Sequence, residues 1–271
     1  RRPLNPRSLR EAASLLSKAK KPLIIAGGGV HYSQAAATLR DFAETFGIPV
    51  GETQAGKSAM SWKDSMSVGA IGVTGTSAAN LLASDADVVL VVGSRLQDFT
   101  TASKQIFSPE VILLHLNVSQ YDGHKMDSAA LQADVKSGLE SLKESLQTGG
   151  YQTSLEYRER ISQLQSEWNV EVDRLYQLTS EEGNVQTLIV GALNEFMAPE
   201  DVVLCAAGSL PGDLHRLWRS ELPKSYHMEY GYSCMGYEVA GGLGAKLAMD
   251  QGELYVIVGD GSYLMLHSEI L

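Results

Sequence analysis

The residues with the most pointed chemistry lie near the C-terminal end, where the apolar run Val256-Ile-Val passes into Gly259-Asp260-Gly261-Ser262. A strand that ends in Gly-Asp-Gly lets backbone come close to a phosphate, while its one carboxylate reaches a hard divalent cation. A second apolar run, residues 201–206, ends in Ala207-Gly208-Ser209-Leu210, another turn suited to a phosphate. Between the two lies Tyr230-Gly-Tyr-Ser-Cys234-Met235-Gly236-Tyr237-Glu238, a loop bearing glycine and methionine that leads into a helix. Taken singly, each segment is as well explained by a tight turn, where Asp and Gly are common. Taken together, they point to a phosphorylated cofactor held by backbone and a metal. Glu238 falls in the first helical turn and is read as a first-turn acid rather than a cofactor contact.

These segments need a scaffold that brings strand ends together. Residues 201–206 and 253–258 read as strands, and 187–196 and 238–249 as helices, with a further helix from 263 onward. Upstream, residues 23–26, 48–50, 88–92 and 111–118 read as strands, and 35–46, 78–82 and 135–146 as helices. Ser8-Leu-Arg-Glu11 has the form of a capping box, and Thr76 or Ser77 is the expected cap of the helix at 78. Continuous apolar strands alternating with helices predict a parallel sheet covered on both faces. Residues 151–179 are polar and rich in glutamate, with apolar residues spaced for one face. They read as a long connecting helix that packs one side on a neighbour.

Other motifs compete for attention. Gly51-Glu-Thr-Gln-Ala-Gly56-Lys57-Ser58 matches the P-loop pattern letter for letter. The residues that follow have weak helical periodicity, and the strand before it contains Pro49. Gly69, Gly72 and Gly75, with Gly27-Gly28-Gly29, would suit a dinucleotide, or only the tight turns of a parallel sheet. None of the six histidines has metal-ligand spacing. His215 and His227 fall in the second unit, near the candidate site, and both are read as structural.

Composition narrows the partners. The chain carries a net charge of −10 with no basic cluster, which disfavours nucleic acid and anionic membrane. A hydrophobic fraction of 44% with 20% charged residues is that of a soluble globular protein. Cys205 and Cys234 show no metal or disulfide pattern and read as reduced thiols. No apolar run reaches membrane-spanning length, and the first residues lack the apolar stretch of a signal peptide. A cytoplasmic protein is expected.

On these residues the chain resembles the thiamine diphosphate enzymes. The first unit is similar to the middle domain of the acetohydroxyacid synthase and pyruvate oxidase group, and the second to the diphosphate-binding domain. The resemblance implies an α/β fold in three parts: a Rossmann-like middle domain at residues 1–150, a helical linker at 151–184 and a truncated cofactor-binding domain at 185–271. It implies thiamine diphosphate and Mg2+ as cofactors. Asp260 would bind the metal. Gly208, Ser209, Leu210, Gly259, Gly261 and Ser262 would form the diphosphate site, and Met235 with the backbone near Cys234 would meet the cofactor rings.

Segments 205–218 and 226–237 are most similar to the branch that hydrolyses a C–C bond of a cyclic 1,2-dione in myo-inositol catabolism. Synthase relatives carry Gly-Gln-His where this chain has Gly208-Ser209-Leu210. The glutamate that activates the aminopyrimidine is expected in an N-terminal domain. A second metal ligand is expected roughly 25–30 residues beyond Gly-Asp-Gly, to complete the octahedron Mg2+ prefers. The segment alone is therefore expected to be inactive, and the intact enzyme at least a homodimer. An acetohydroxyacid synthase-like lyase, a P-loop NTPase and a non-catalytic cofactor-binding module are the alternatives.

Overall fold

The computed structural model describes residues 4–181, 183–229 and 231–270. Residues 1–3, Glu182 of the expected 151–184 linker, Tyr230 of the methionine loop and Leu271 of the helix expected from 263 onward lie outside them.

The first unit is built on β1 (Pro22–Ala26), β2 (Val50–Glu52), β3 (Ser67–Ala70), β4 (Val88–Val92), β5 (Ile112–Asn117) and β6 (Ala129–Gln132). They form one parallel sheet in the order β3-β2-β1-β4-β5-β6. The register runs Ile24 to Leu90 to Leu114 across the centre. Strands β1 and β4 are buried along their whole length, which is why both read as unbroken apolar runs. The helices are α1 (Pro6–Leu16), α2 (Gly29–Tyr32), α3 (Ala36–Phe46), α4 (Ser77–Asp85), α5 (Asp98–Thr101), α6 (Gln120–Gly123) and α7 (Val135–Thr148). Helices α1 and α3 pack on α7, while α4 packs on α8 (Leu155–Tyr176).

Local chemistry sets the helix ends. Thr76 caps α4 by accepting from the Ala79 amide, and Gly47 ends α3 in the left-handed region at φ +68°. Helix α1 departs from expectation. It begins at Pro6 with Asn5 as cap, whose Oδ1 accepts from the Arg7 and Ser8 amides at 2.9 and 3.4 Å. Proline suits the first helical turn, so the start moves ahead of the Ser8–Glu11 capping box.

Helix α8 belongs to two cores. Tyr157, Ile161 and Leu164 pack into the first, and Val172 and Tyr176 into the second, with Trp168 touching both. Tyr157 also donates to the Pro22 carbonyl, and Tyr176 to that of Leu217. The segment is thus a shared strut rather than a linker packed on one neighbour.

The second unit contains α9 (Gln186–Phe196), β7 (Val202–Cys205), α10 (Leu210–Leu217), β8 (Tyr226–Met228), α11 (Tyr237–Ala248), β9 (Leu254–Val256) and α12 (Asp260–Leu266). Its three strands are parallel in the order β8-β7-β9. Among the described residues no helix is long and apolar enough to cross a membrane.

The two units meet through the segment that spells a P-loop. After β2 the chain makes a single 3-10 turn over Gln54–Gly56, and Ser58 adopts φ +72°. Ser58 Oγ accepts from the Lys224 amide, Trp62 N–H donates to the Ser220 carbonyl, and Tyr226 Oη donates to Gln54 Oε1 at 2.8 Å.

Candidate functional site

Strand pairing places the two phosphate-type turns side by side. Leu204 of β7 is in register with Val256 of β9, and Gly208 and Asp260 each follow four residues later in the chain. Both turns therefore leave the same edge of the sheet, at the carboxyl ends of the strands, where open α/β sheets bind ligands. Gly208 has φ +89° and nothing within 4 Å of the position a Cβ would take, so the turn opens outward. Ser209 is exposed, and its hydroxyl donates to Gln186 Oε1 at 3.1 Å. Leu210 starts α10, a helix absent from the sequence reading, which has only a turn at residues 207–210. Gly259 also has open space around it. Asp260 is exposed at the start of α12, with Oδ1 accepting from the Gly261 amide at 2.8 Å.

The methionine loop lies against the second of these turns. Met235 Cε is 3.5 Å from where a Cβ on Gly261 would sit, and Met235 is itself 49% exposed. Glu229 shapes the loop from within, accepting the Tyr232 amide at 3.2 Å and the Cys234 amide at 2.7 Å. The Cys234 side chain is exposed, and Cys205 is buried. Burial pushes the Cys205 thiol up to about 12, so it stays protonated.

Ser262 turns inward. It is 4% exposed, its hydroxyl donates to Glu238 Oε2 at 2.6 Å, and it accepts from the Gly236 amide at 2.6 Å. Glu238 is fully buried and also accepts from the Ala207 and Gly236 amides. Sequence reasoning passes over this carboxylate because its partners come from distant segments. The available signal was an acidic residue inside an otherwise apolar, glycine-rich helix.

Thiamine diphosphate and Mg2+ would find fitting groups at these turns. An open glycine turn offers backbone to a diphosphate, and an exposed carboxylate beside it offers a hard oxygen ligand. Among the described residues no group of three or more His, Cys, Asp or Glu side chains is arranged to hold a metal unaided. A cation at Asp260 would thus take most of its oxygens from the diphosphate and other sources. Gly208 and Ser209 also line a cleft of about 1020 Å3 between the two units, together with Asp98, Lys104 and Lys125 of the first and Asp213 and Arg216 of the second. Asp260 and Met235 do not line that cleft.

The segment that spells a P-loop resolves into packing. Lys57 is 5% exposed rather than facing solvent, and the Gly56 amide is bonded to Thr53. No helix opens at Ser58, so nothing here cradles a nucleotide phosphate. Burial pushes the neighbouring Glu52 carboxyl up to about 7, against the pull of Lys57, and it lowers Lys57 against the pull of Glu52. Several glycines of the first unit are close-approach positions. A Cβ on Gly27 or Gly29 would strike Gly93, and one on Gly72 would strike the Phe99 carbonyl. His215 is buried between Thr74 Oγ1 at 2.8 Å and the Glu52 carbonyl at 3.0 Å. Since a carbonyl only accepts, Nε2 carries the proton and Nδ1 accepts from Thr74. His227 is exposed and pairs with the Tyr237 hydroxyl at 2.7 Å.

With this geometry in place, comparison with known sequences identifies the class. The chain belongs to the thiamine pyrophosphate enzymes: residues 9–142 match the central domain of that family and residues 206–271 its C-terminal TPP binding domain. It is 44% identical over 296 aligned positions to the 3D-(3,5/4)-trihydroxycyclohexane-1,2-dione hydrolase of Clostridium tetani (strain Massachusetts / E88), covering 100% of this chain and 46% of that protein. It is 46% identical over 289 positions to the hydrolase of the same name from Bacillus cereus (strain AH820), covering 97% and 45%. The Bacillus anthracis (strain A0248) hydrolase aligns with the same identity and coverage. The chain spans about half the length of the curated relatives it matches.

Proposed function

We propose that this chain forms the central and cofactor-binding parts of a thiamine diphosphate- and Mg2+-dependent hydrolase. Its substrate would be 3D-(3,5/4)-trihydroxycyclohexane-1,2-dione, opened by C–C cleavage to a 5-deoxy-glucuronate in myo-inositol catabolism in the cytoplasm. The observation that carries this reading is the identity of 44–46% with enzymes of that name, which runs through both units and all three cofactor-type segments. The side-by-side exit of the turns at Gly208 and Asp260 supports it physically.

In this reading Gly208, Ser209, Leu210, Gly259 and Gly261 shape the diphosphate site, and Asp260 holds the metal. Met235 packs its thioether under the cofactor rings, a soft contact suited to aromatic faces. The backbone near Cys234 meets the aminopyrimidine, and Ser262 holds the turn from beneath. When bound, thiamine diphosphate supplies the carbanion chemistry that makes a C–C bond beside a ketone breakable, and the protein supplies orientation and electrostatics. An assembled form of at least a dimer is part of the proposal. Leu247 of α11 and Leu264 and Met265 of α12 are 80%, 65% and 58% exposed, an apolar surface of the kind that partners cover.

The test is turnover by the full-length enzyme. Ring opening of the cyclic dione that needs both thiamine diphosphate and Mg2+ is the expected result. Condensation of pyruvate without dione hydrolysis would replace the proposal with a synthase activity.

A further inference from the structure

We propose that Glu238 is the positioning residue of the cofactor site, fixing the diphosphate turn, the methionine loop and the metal-bearing turn relative to one another. The proposal rests on the cofactor reading above and extends it to a residue that would touch neither cofactor nor metal.

The argument begins with three donors on one carboxylate. Glu238 Oε1 accepts from the Ala207 amide at 3.2 Å, and Oε2 accepts from the Gly236 amide at 3.1 Å and the Ser262 hydroxyl at 2.6 Å. Ala207 directly precedes Gly208, Gly236 directly follows Met235, and Ser262 lies two residues beyond Asp260. Each donor thus adjoins a different cofactor-type residue, and the three segments have no other common side chain among these bonds. The side chain is fully buried, where water cannot replace a lost partner and an unmade hydrogen bond is costly. Ser262 reinforces the arrangement, since its hydroxyl both donates to Glu238 and accepts from Gly236. Outer groups of this kind govern how well a metal site is aimed.

The isosteric variant Glu238→Gln isolates the effect. Three donors converge on two oxygens, and an amide keeps only one oxygen. Whichever way it turns, an N–H meets an N–H and at least one segment is released. In the full-length enzyme, calorimetric titration should show binding of thiamine diphosphate in excess Mg2+ weakened about ten- to a hundredfold, the range typical of second-sphere losses. Saturating cofactor should restore kcat to near the wild-type value. A merely structural role would lower kcat in a way that excess cofactor does not repair.

Ser262→Ala serves as the gentler variant should Glu238→Gln fail to fold. It removes one of the three links and should weaken cofactor binding about threefold or more. Wild-type affinity in a folded Glu238→Gln enzyme, or in Ser262→Ala where Glu238→Gln does not fold, overturns the proposal and leaves the cofactor reading standing. Absence of cofactor binding by the wild-type enzyme overturns both.

Discussion

Gln54 donates through Nε2 to the carbonyl oxygen of Pro211 at 2.8 Å, joining the first unit to the opening turn of α10. That helix begins directly after Gly208 and Ser209, so the bond anchors the diphosphate turn to the other half of the molecule. Gln54 is 4% exposed and also accepts from Tyr226. Gln54→Ala removes both of these hydrogen bonds from a buried position, and should cost about 1–3 kcal/mol. Urea unfolding at neutral pH would measure it. A change under half a kcal/mol, on the order of a surface substitution, would refute the anchoring role.

Two glycines with different reasons for being glycine should respond differently to alanine. A Cβ on Gly56 would collide with the Ala26 carbonyl, which is backbone and cannot step aside. Gly56→Ala should therefore destabilise by about 3 kcal/mol, as overpacking does. Gly208 has open space but φ +89°, so Gly208→Ala bears only the left-handed backbone term of about 1–2 kcal/mol. Melting curves of the two variants should separate cleanly, with Gly56→Ala the lower. The reverse order would mean that Gly208 is packed after all.

The contrast at Gly56 also shows where sequence reading succeeds. Letter for letter the segment is a P-loop, yet Pro49 and the weak periodicity after Ser58 already argued against one. Long apolar strands such as Val88–Val92 were legible because burial on both faces leaves no room for polar residues. Strands β3, β6 and β8 were not, being three or four residues long and mixed in polarity. Helix α10 hid behind Pro211 and Gly212, which resemble a turn although proline is at home in a first helical turn. At the site, Gly208 and Asp260 announce themselves by type. Glu238 does not, because its donors Ala207 and Ser262 lie 31 and 24 residues away along the chain.

The buried His215 predicts an acid-labile joint. Burial lowers it from 6.5 to about 3, with Lys57 acting in the same direction. Between those limits the unfolded chain binds more protons than the folded one. Its contribution is complete above pH 6.5 and is lost as pH falls toward 3, amounting to about 2 kcal/mol by pH 5. His115, lowered to about 4 by burial, has the same sign. Denaturant midpoints at pH 7 and pH 5 should differ, and His215→Gln should shrink the difference without abolishing it. An equal drop in wild type and variant would show that His215 does not titrate in this range.

Asp260 should be dispensable for folding and indispensable for the metal. Its side chain is exposed and bonds only to the adjacent Gly261 amide among its described contacts. Asp260→Ala in the full-length enzyme should leave the melting temperature without cofactor within about 2 °C of wild type, as expected for a surface substitution. It should also remove Mg2+-dependent binding of thiamine diphosphate. Retention of that dependence would place the metal elsewhere.

Helix α8 decides where this polypeptide can be divided. Because Ile161 and Leu164 complete one core while Val172 and Tyr176 complete the other, neither end of the helix is a neutral seam. A cut before Leu155 takes a wall from the first unit, and a cut after Tyr176 takes one from the second. A dissection that keeps both units folded must therefore leave that rod whole on both sides.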